Sequence, residues 1–177
     1  MRDKAGQYPL PRPCISIVRG RPSPRCLHLA AETMRPADRH EVWAAEGQRP
    51  LEALDLAFAA STLCWTIMVG RAPALCCGVA PATGTDALPG LAGNVGIPWM
   101  LGTSLFPAAA PLVARLARVA VARMAARYPV LTNHAHAGNA PALRFLRWCG
   151  FTLADTPRPL GHANELFYQF WRFECVQ

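Results

Sequence analysis

Two histidines in the pattern His134-Ala-His136, and the carboxylate of Glu165 further along, carry the clearest proton-transfer chemistry in this chain. Each is placed near the end of an expected strand, where a substrate can reach a group that takes or gives a proton near neutral pH. His134, His136 and Glu165 are therefore the general-base candidates. Alternation along a strand puts both imidazoles on one face, an arrangement that also suits a metal ion. No third ligand stands at a convincing spacing, so no metal is expected. Asn133 and Asn139 bracket the same strand end. Asn139 stands just before an expected helix and reads first as its cap, with contact to a substrate or cofactor as the second reading.

Other reactive groups form no pattern. The seven cysteines (Cys14, Cys26, Cys64, Cys76, Cys77, Cys149, Cys175) are odd in number and sit mostly in apolar surroundings. No paired Cys-x-x-Cys spacing occurs, so neither a zinc site nor a disulfide framework is indicated, and reduced thiols are expected. Adjacent Cys76 and Cys77 read as strand packing, because neighbouring cysteines seldom meet disulfide geometry. There is no nucleophile elbow, Walker loop or dinucleotide fingerprint.

The elements that must position these groups alternate along the chain. Residues 27–34 suit a strand ended by Pro36, and residues 38–45 and 50–60 suit helices. Residues 63–69, 75–79 and 95–101 read as strands, the last broken or bulged at Pro98. The best helix covers about residues 107–127. Its apolar stripe is Val113, Ala117, Ala120, Val121, Met124 and Tyr128, and Arg115, Arg118, Arg123 and Arg127 lie on its other side. Residues 131–136 form a fifth strand and residues 140–149 a short helix stopped by Gly150. Strands over residues 151–154 and 165–175 close the chain.

Composition bounds the rest. The chain has 177 residues, 52% of them hydrophobic and 16% charged, which fits one domain with a real core and excludes global disorder. Of the net charge of +7, residues 1–25 carry +5, together with five prolines, and read as a basic arm outside a single domain over residues 26–177. The body is near neutral, so nucleic acid is expected only through the arm. No secretory signal is expected, and the uncharged run over residues 56–70 is shorter than the roughly 20 residues a membrane helix needs. No membrane partner is expected.

The element order resembles the GCN5-related N-acetyltransferase (GNAT) fold, a mixed α/β architecture. Its most specific local match runs Asn139-Ala-Pro-Ala-Leu-Arg-Phe-Leu-Arg-Trp-Cys-Gly-Phe151, in which Asn139, Ala142, Gly150 and Phe151 meet the family spacing. From Trp99 to Phe173 the chain is more similar still to a GNAT-like family of tailed bacteriophages that includes small internal virion proteins. The phrases Trp-Met-Leu-Gly-Thr, Leu-Thr-Asn-His and Leu-Arg-Phe-Leu-Arg-Trp-Cys-Gly-Phe carry that similarity. The resemblance implies a splayed mixed sheet of about six or seven strands flanked by about four helices. The fourth and fifth strands should run parallel and diverge.

It also implies an acetyl-CoA site that can be checked residue by residue. The family grips the cofactor pyrophosphate on backbone N–H groups of a Gln/Arg-x-x-Gly-x-Gly/Ala loop, where a strand turns into its helix. Ser104, Pro107 and Ala109 fall on the three motif positions, and Pro107 has no N–H. Many family enzymes use a Tyr seven residues after the motif Asn as general acid; that position is Leu146. Tyr168 is a substitute acid, although packing explains it better. The resemblance thus implies a catalytically degenerate GNAT-fold phage protein that needs no cofactor and is virion-associated or assembly-related. Its partners would be phage structural proteins or a second copy, in the host cytoplasm during expression or in the virion. The alternative is an acetyl-CoA-dependent N-acetyltransferase. In that case the cofactor would lie along Trp99, Met100 and Leu101, against N–H groups of Gly102, Thr103, Ser104 and Leu105, with Asn139 nearby.

Overall fold

Proline in the first turn opens every described helix, at Pro24, Pro36, Pro50, Pro107 and Pro141, where its missing N–H costs nothing. The computed structural model describes residues 14–83 and 93–174. In chain order the elements are β1 (Ile15–Arg19), α1 (Pro24–Glu32), α2 (Pro36–Glu46), α3 (Pro50–Ala60), β2 (Leu63–Val69), β3 (Ala72–Pro81) and β4 (Val95–Gly102). Then follow α4 (Phe106–Arg127), β5 (Val130–His136), α5 (Ala140–Trp148), β6 (Thr152–Leu153), β7 (Arg158–Leu160) and β8 (Glu165–Phe173).

All eight strands join one open sheet in the order β1-β2-β3-β4-β5-β8-β6, with β7 also paired to β8. Every pairing is antiparallel except β4 with β5. Those two run parallel, as expected, and touch only at Val95–Val130 and Gly96–Leu131 before separating. On one face α1 and α3 bury Leu27, Ala30, Met34, Leu54 and Phe58 against Cys76. On the other, α4 crosses β2 to β5 and buries Val113, Val121 and Met124. The splay between β4 and β5 therefore connects two helix layers.

Three local expectations need correction. Residues 27–34 are not a strand: they fall in α1 and the turn after it, capped by Ser23, whose hydroxyl accepts the Cys26 N–H. Leu27, Ala30, Ala31 and Met34 repeat at helical spacing and are all buried, so tertiary packing decides in favour of the helix. Residues 1–25 do not all behave as an arm. The β-branched run Ile15–Arg19 adds an edge strand to β2, and residues 1–13 lie outside the described residues. Pro98 does not break β4, which pairs with β3 without interruption from Gly96 to Gly102. Its carbonyl faces the β5 side, so its ring nitrogen sits on the splayed edge, where no ladder donor is required.

Candidate functional site

A cleft of about 1180 Å³ opens where β4 and β5 separate. Asp38 and Glu41 of α2 line it from one face of the sheet, and Ala117, Phe145 and Leu146 of α4 and α5 from the other. The cavity thus passes through the sheet. Strand alternation sets which β4 groups face it. Thr103 N–H donates to Ala74 O, so odd-numbered residues bond β3 and even-numbered ones point at the opening. Pro98 O there accepts from the Asn133 side chain at 3.0 Å. Gly102 N–H donates to Asp38 Oδ2 at 2.7 Å, and Gly102 O accepts the Arg35 N–H at 2.9 Å. Met100 is the residue between them whose N–H and C=O face the cleft.

The β4–α4 junction is where the fold would present an anion with free N–H donors. Here the donors are already used. Beyond Gly102, Thr103 N–H goes to Ala74 O, Ser104 N–H to Thr33 O, and Phe106 N–H to Thr103 O. Leu105 N–H goes to Thr103 Oγ1 at 3.2 Å, Ala108 N–H returns to Leu105 O, and Pro107 has none. Asp38, only 3% exposed, holds the Arg35 guanidinium through two 2.8 Å hydrogen bonds, and that guanidinium also lies over the Phe106 ring. The residues present do not fit a pyrophosphate, because every backbone donor from Gly102 to Ala108 has a protein acceptor.

The other expected cofactor residues are placed as follows. Trp99 turns to the α3 side, where its indole N–H donates to Ser61 Oγ at 2.8 Å and its ring meets Phe58 edge-on. Leu101 packs in the same cluster, whereas Met100 faces α4. Thr103 is buried, and its hydroxyl donates to Pro73 O; Ser104 is exposed at the turn. Asn139 caps α5 by accepting the Ala142 N–H, and its amide donates to Glu41 Oε2 at 2.8 Å.

Of the proton-transfer candidates, the structure joins two. His136 Nε2 and Glu165 Oε2 are 2.7 Å apart. His134 shares the strand face and lines the cleft, but it is exposed and not part of that contact. Tyr168 packs into the core on the α5 side and does not line the cleft, while Leu146, at the position of the family acid, does. Two residues of α2 that sequence reasoning missed complete the picture. His40 Nε2 reaches the same Glu165 oxygen at 2.9 Å. Glu41 accepts the His136 backbone N–H and the Asn139 amide; burial pushes its carboxyl above the usual range, opposed by these two bonds. The Glu165 carboxyl is held below its usual range, first by the hydrogen bond to His40 and then by that to His136. Only the adjacent pair His40-Glu41 in a helical stretch could have signalled them.

No protein-family model matches the chain, and no curated protein is similar to it. Solved structures are similar in fold. A putative acetyltransferase from Acinetobacter baylyi superposes with TM-score 0.64 at 13% identity, over 93% of this chain and 95% of that one. A ribosomal-protein-alanine N-acetyltransferase from Brucella melitensis gives 0.62 at 15% identity, over 90% and 99%. A GNAT family acetyltransferase from Elizabethkingia anophelis, with acetyl-CoA bound, gives 0.55 at 10%, over 90% and 98%. At these identities the likeness is one of architecture. The chain has the GNAT acetyltransferase fold.

Proposed function

We propose that this protein keeps the GNAT fold without acetyl transfer and serves as a virion-associated or assembly component of a tailed bacteriophage. One observation carries the non-catalytic reading: the N–H groups that would hold a cofactor pyrophosphate are bonded within the protein, with the buried Asp38 carboxylate on the first of them. A phosphate arriving there would have to displace those acceptors and lie beside a carboxylate. Leu146 in place of a proton donor supports the same reading. The phage assignment is supported by the Trp99–Phe173 resemblance alone, since fold does not fix function.

Calorimetry of the full chain with acetyl-CoA tests the first part. No heat of binding at millimolar ligand is expected, whereas a micromolar dissociation constant (about −8 kcal/mol) overturns it. Mass spectrometry of purified particles and of assembly intermediates tests the second. Absence from both removes the structural assignment.

A second reading, acetyl-CoA-dependent N-acetyl transfer, is favoured by the cleft itself. It passes through the sheet, presents the Met100 amide on one wall, and has Glu41 with its raised pKa on another. The same calorimetry separates the two.

A further inference from the structure

We infer that His40, His136 and Glu165 form a binding site for a divalent transition-metal ion of the zinc type, on the α2 side of the sheet and beside the cleft. The structural role proposed above makes no use of this cluster. The three side chains come from α2, β5 and β8, and their ligand atoms all lie within 4.8 Å of one another. Each imidazole nitrogen already stands 2.7–2.9 Å from the same carboxylate oxygen. Ligand atoms about 2.0–2.1 Å from a shared ion are separated by about 3.0–3.4 Å, so loading closes the widest pair, within 4.8 Å here, by at most about 1.8 Å shared between two side chains. A clasp between helix and strand needs one imidazole. Here two, from separate elements, meet at one oxygen.

Donor types and access point the same way. Two imidazoles with one carboxylate make a three-ligand set that leaves positions open for water or a small ligand. The His40 side chain is 48% exposed, so an ion has an entry path, and the His136 side chain, at 17%, anchors the inner end. The rings are braced: His136 lies edge-on to Phe167 and to His40, with Trp43 beside His40. The turn before β8 is tied to the end of α2 by His162 N–H to Ala45 O and Ala163 N–H to Ala44 O, which fixes Glu165 relative to His40. One feature sets the strength. His136 Nδ1 accepts the Gly138 N–H at 3.2 Å, which places the ring proton on Nε2. An ion at Nε2 replaces that proton and moves the neutral ring's N–H to Nδ1, where it opposes Gly138. Micromolar binding is therefore expected, not the far tighter binding of a structural zinc site.

The full chain, freed of metal by chelator, is titrated with Zn²⁺ by calorimetry and with Co²⁺ by absorption spectroscopy. A single ion is expected per chain, with Co²⁺ showing ligand-field bands and no thiolate charge-transfer band. His40→Ala and Glu165→Gln should each weaken binding by about tenfold or more, with circular dichroism confirming that both variants fold. His40→Gln provides a second probe of the exposed ligand if the alanine variant does not fold. The inference is overturned if the wild type binds neither ion, if the folded variants bind as tightly as the wild type, or if a thiolate band shows that cysteines hold the metal. None of these results depends on whether acetyl-CoA binds.

Discussion

Asp38 Oδ2 accepts the backbone N–H of Gly102 at 2.7 Å, across 64 residues of sequence and at the point where β4 gives way to α4. The chain thereby supplies its own anion to the junction at which the fold would receive a phosphate. Arg35 balances the charge, and its own backbone N–H closes the ring by donating to Gly102 O.

Removing that carboxylate should be costly. Asp38→Ala leaves the Gly102 N–H and a partly buried guanidinium without their acceptor, a loss of about 3 kcal/mol. Urea denaturation should show a lower midpoint with an unchanged slope. The double variant Arg35→Met/Asp38→Leu should cost less than the two single changes together, because it removes both charges. Additive losses would show that the pair is not coupled.

Position 102 is a packing position as well. A Cβ there would come within 2.7 Å of Arg35 Nε and 3.3 Å of Asp38 Oδ2. Sequence reasoning makes Gly102 part of a cofactor turn, where added bulk would weaken ligand binding and spare the fold. The structure predicts the reverse: Gly102→Val lowers stability by about 1–3 kcal/mol through overpacking. A wild-type melting temperature for this variant would refute it.

From β2 to α5 the fold was legible because apolar alternation and Gly or Pro turns mark β2 to β5, and Asn139 and Gly150 mark the ends of α5, whereas β7 reads as a loop because prolines and a glycine lie in and around it. The stretch before α2 was not legible, because the run from Cys26 to Ala31, apolar except for His28, serves either period until a partner layer is known. The site divides in the same way. His136 and Glu165 can be picked out by residue type, but His40 and Glu41 look like the solvated side of a helix. What gives them a role is the docking of α2 over β5 and β8, with His40 and Glu165 125 positions apart in sequence. The state of the cradle was equally hidden. A motif shows which N–H groups exist, and only the fold shows that Thr33, Asp38 and Ala74 already accept them.

The β7–β8 turn should be sensitive at Gly161. Its φ of +76° disfavours a side chain, and a Cβ would lie 2.5 Å from Ala45 O. Gly161→Ala should cost about 1–3 kcal/mol. The readout is local: hydrogen exchange at the His162 and Ala163 amides, which bond to the end of α2, should accelerate more than exchange in β2 and β3. Uniform acceleration would mean that the turn is not a separate unit.

Glu41 separates a buried charge from the bonds it makes. Glu41→Gln keeps an acceptor for one of its two donors, the His136 N–H, while its own amide N–H faces the Asn139 amide, and it removes a charge that burial disfavours, so the lost bond and the lost charge offset. Stability at neutral pH should stay within about 1 kcal/mol of the wild type. Glu41→Leu leaves both donors without an acceptor and should cost about 2–4 kcal/mol. Equal losses in the two variants would show that the charge itself is needed.

The cysteines give a last test, in which pH dependence follows from burial. Desolvation pushes the thiols of Cys76 and Cys77 up to about 12 and that of Cys149 to about 11. At pH 8 a thiol with a pKa near 12 is a thiolate only about one part in ten thousand of the time, and the thiolate is the reactive form. Cys76 is also wholly buried between the sheet and α1, whereas Cys14 is exposed at the start of β1. Among the described cysteines, alkylation of the native protein followed by peptide mass spectrometry should therefore label Cys14 first. The buried Cys76 and Cys149 should react only at the rate of unfolding, the half-buried Cys77 should react slowly because of its raised pKa, and raising the pH from 7 to 9 should not bring any of the three up to the rate of Cys14. Labelling of Cys76 as fast as Cys14 in folded protein would mean that the β3 face beneath α1 opens to solvent, and the packing described for that layer would be wrong.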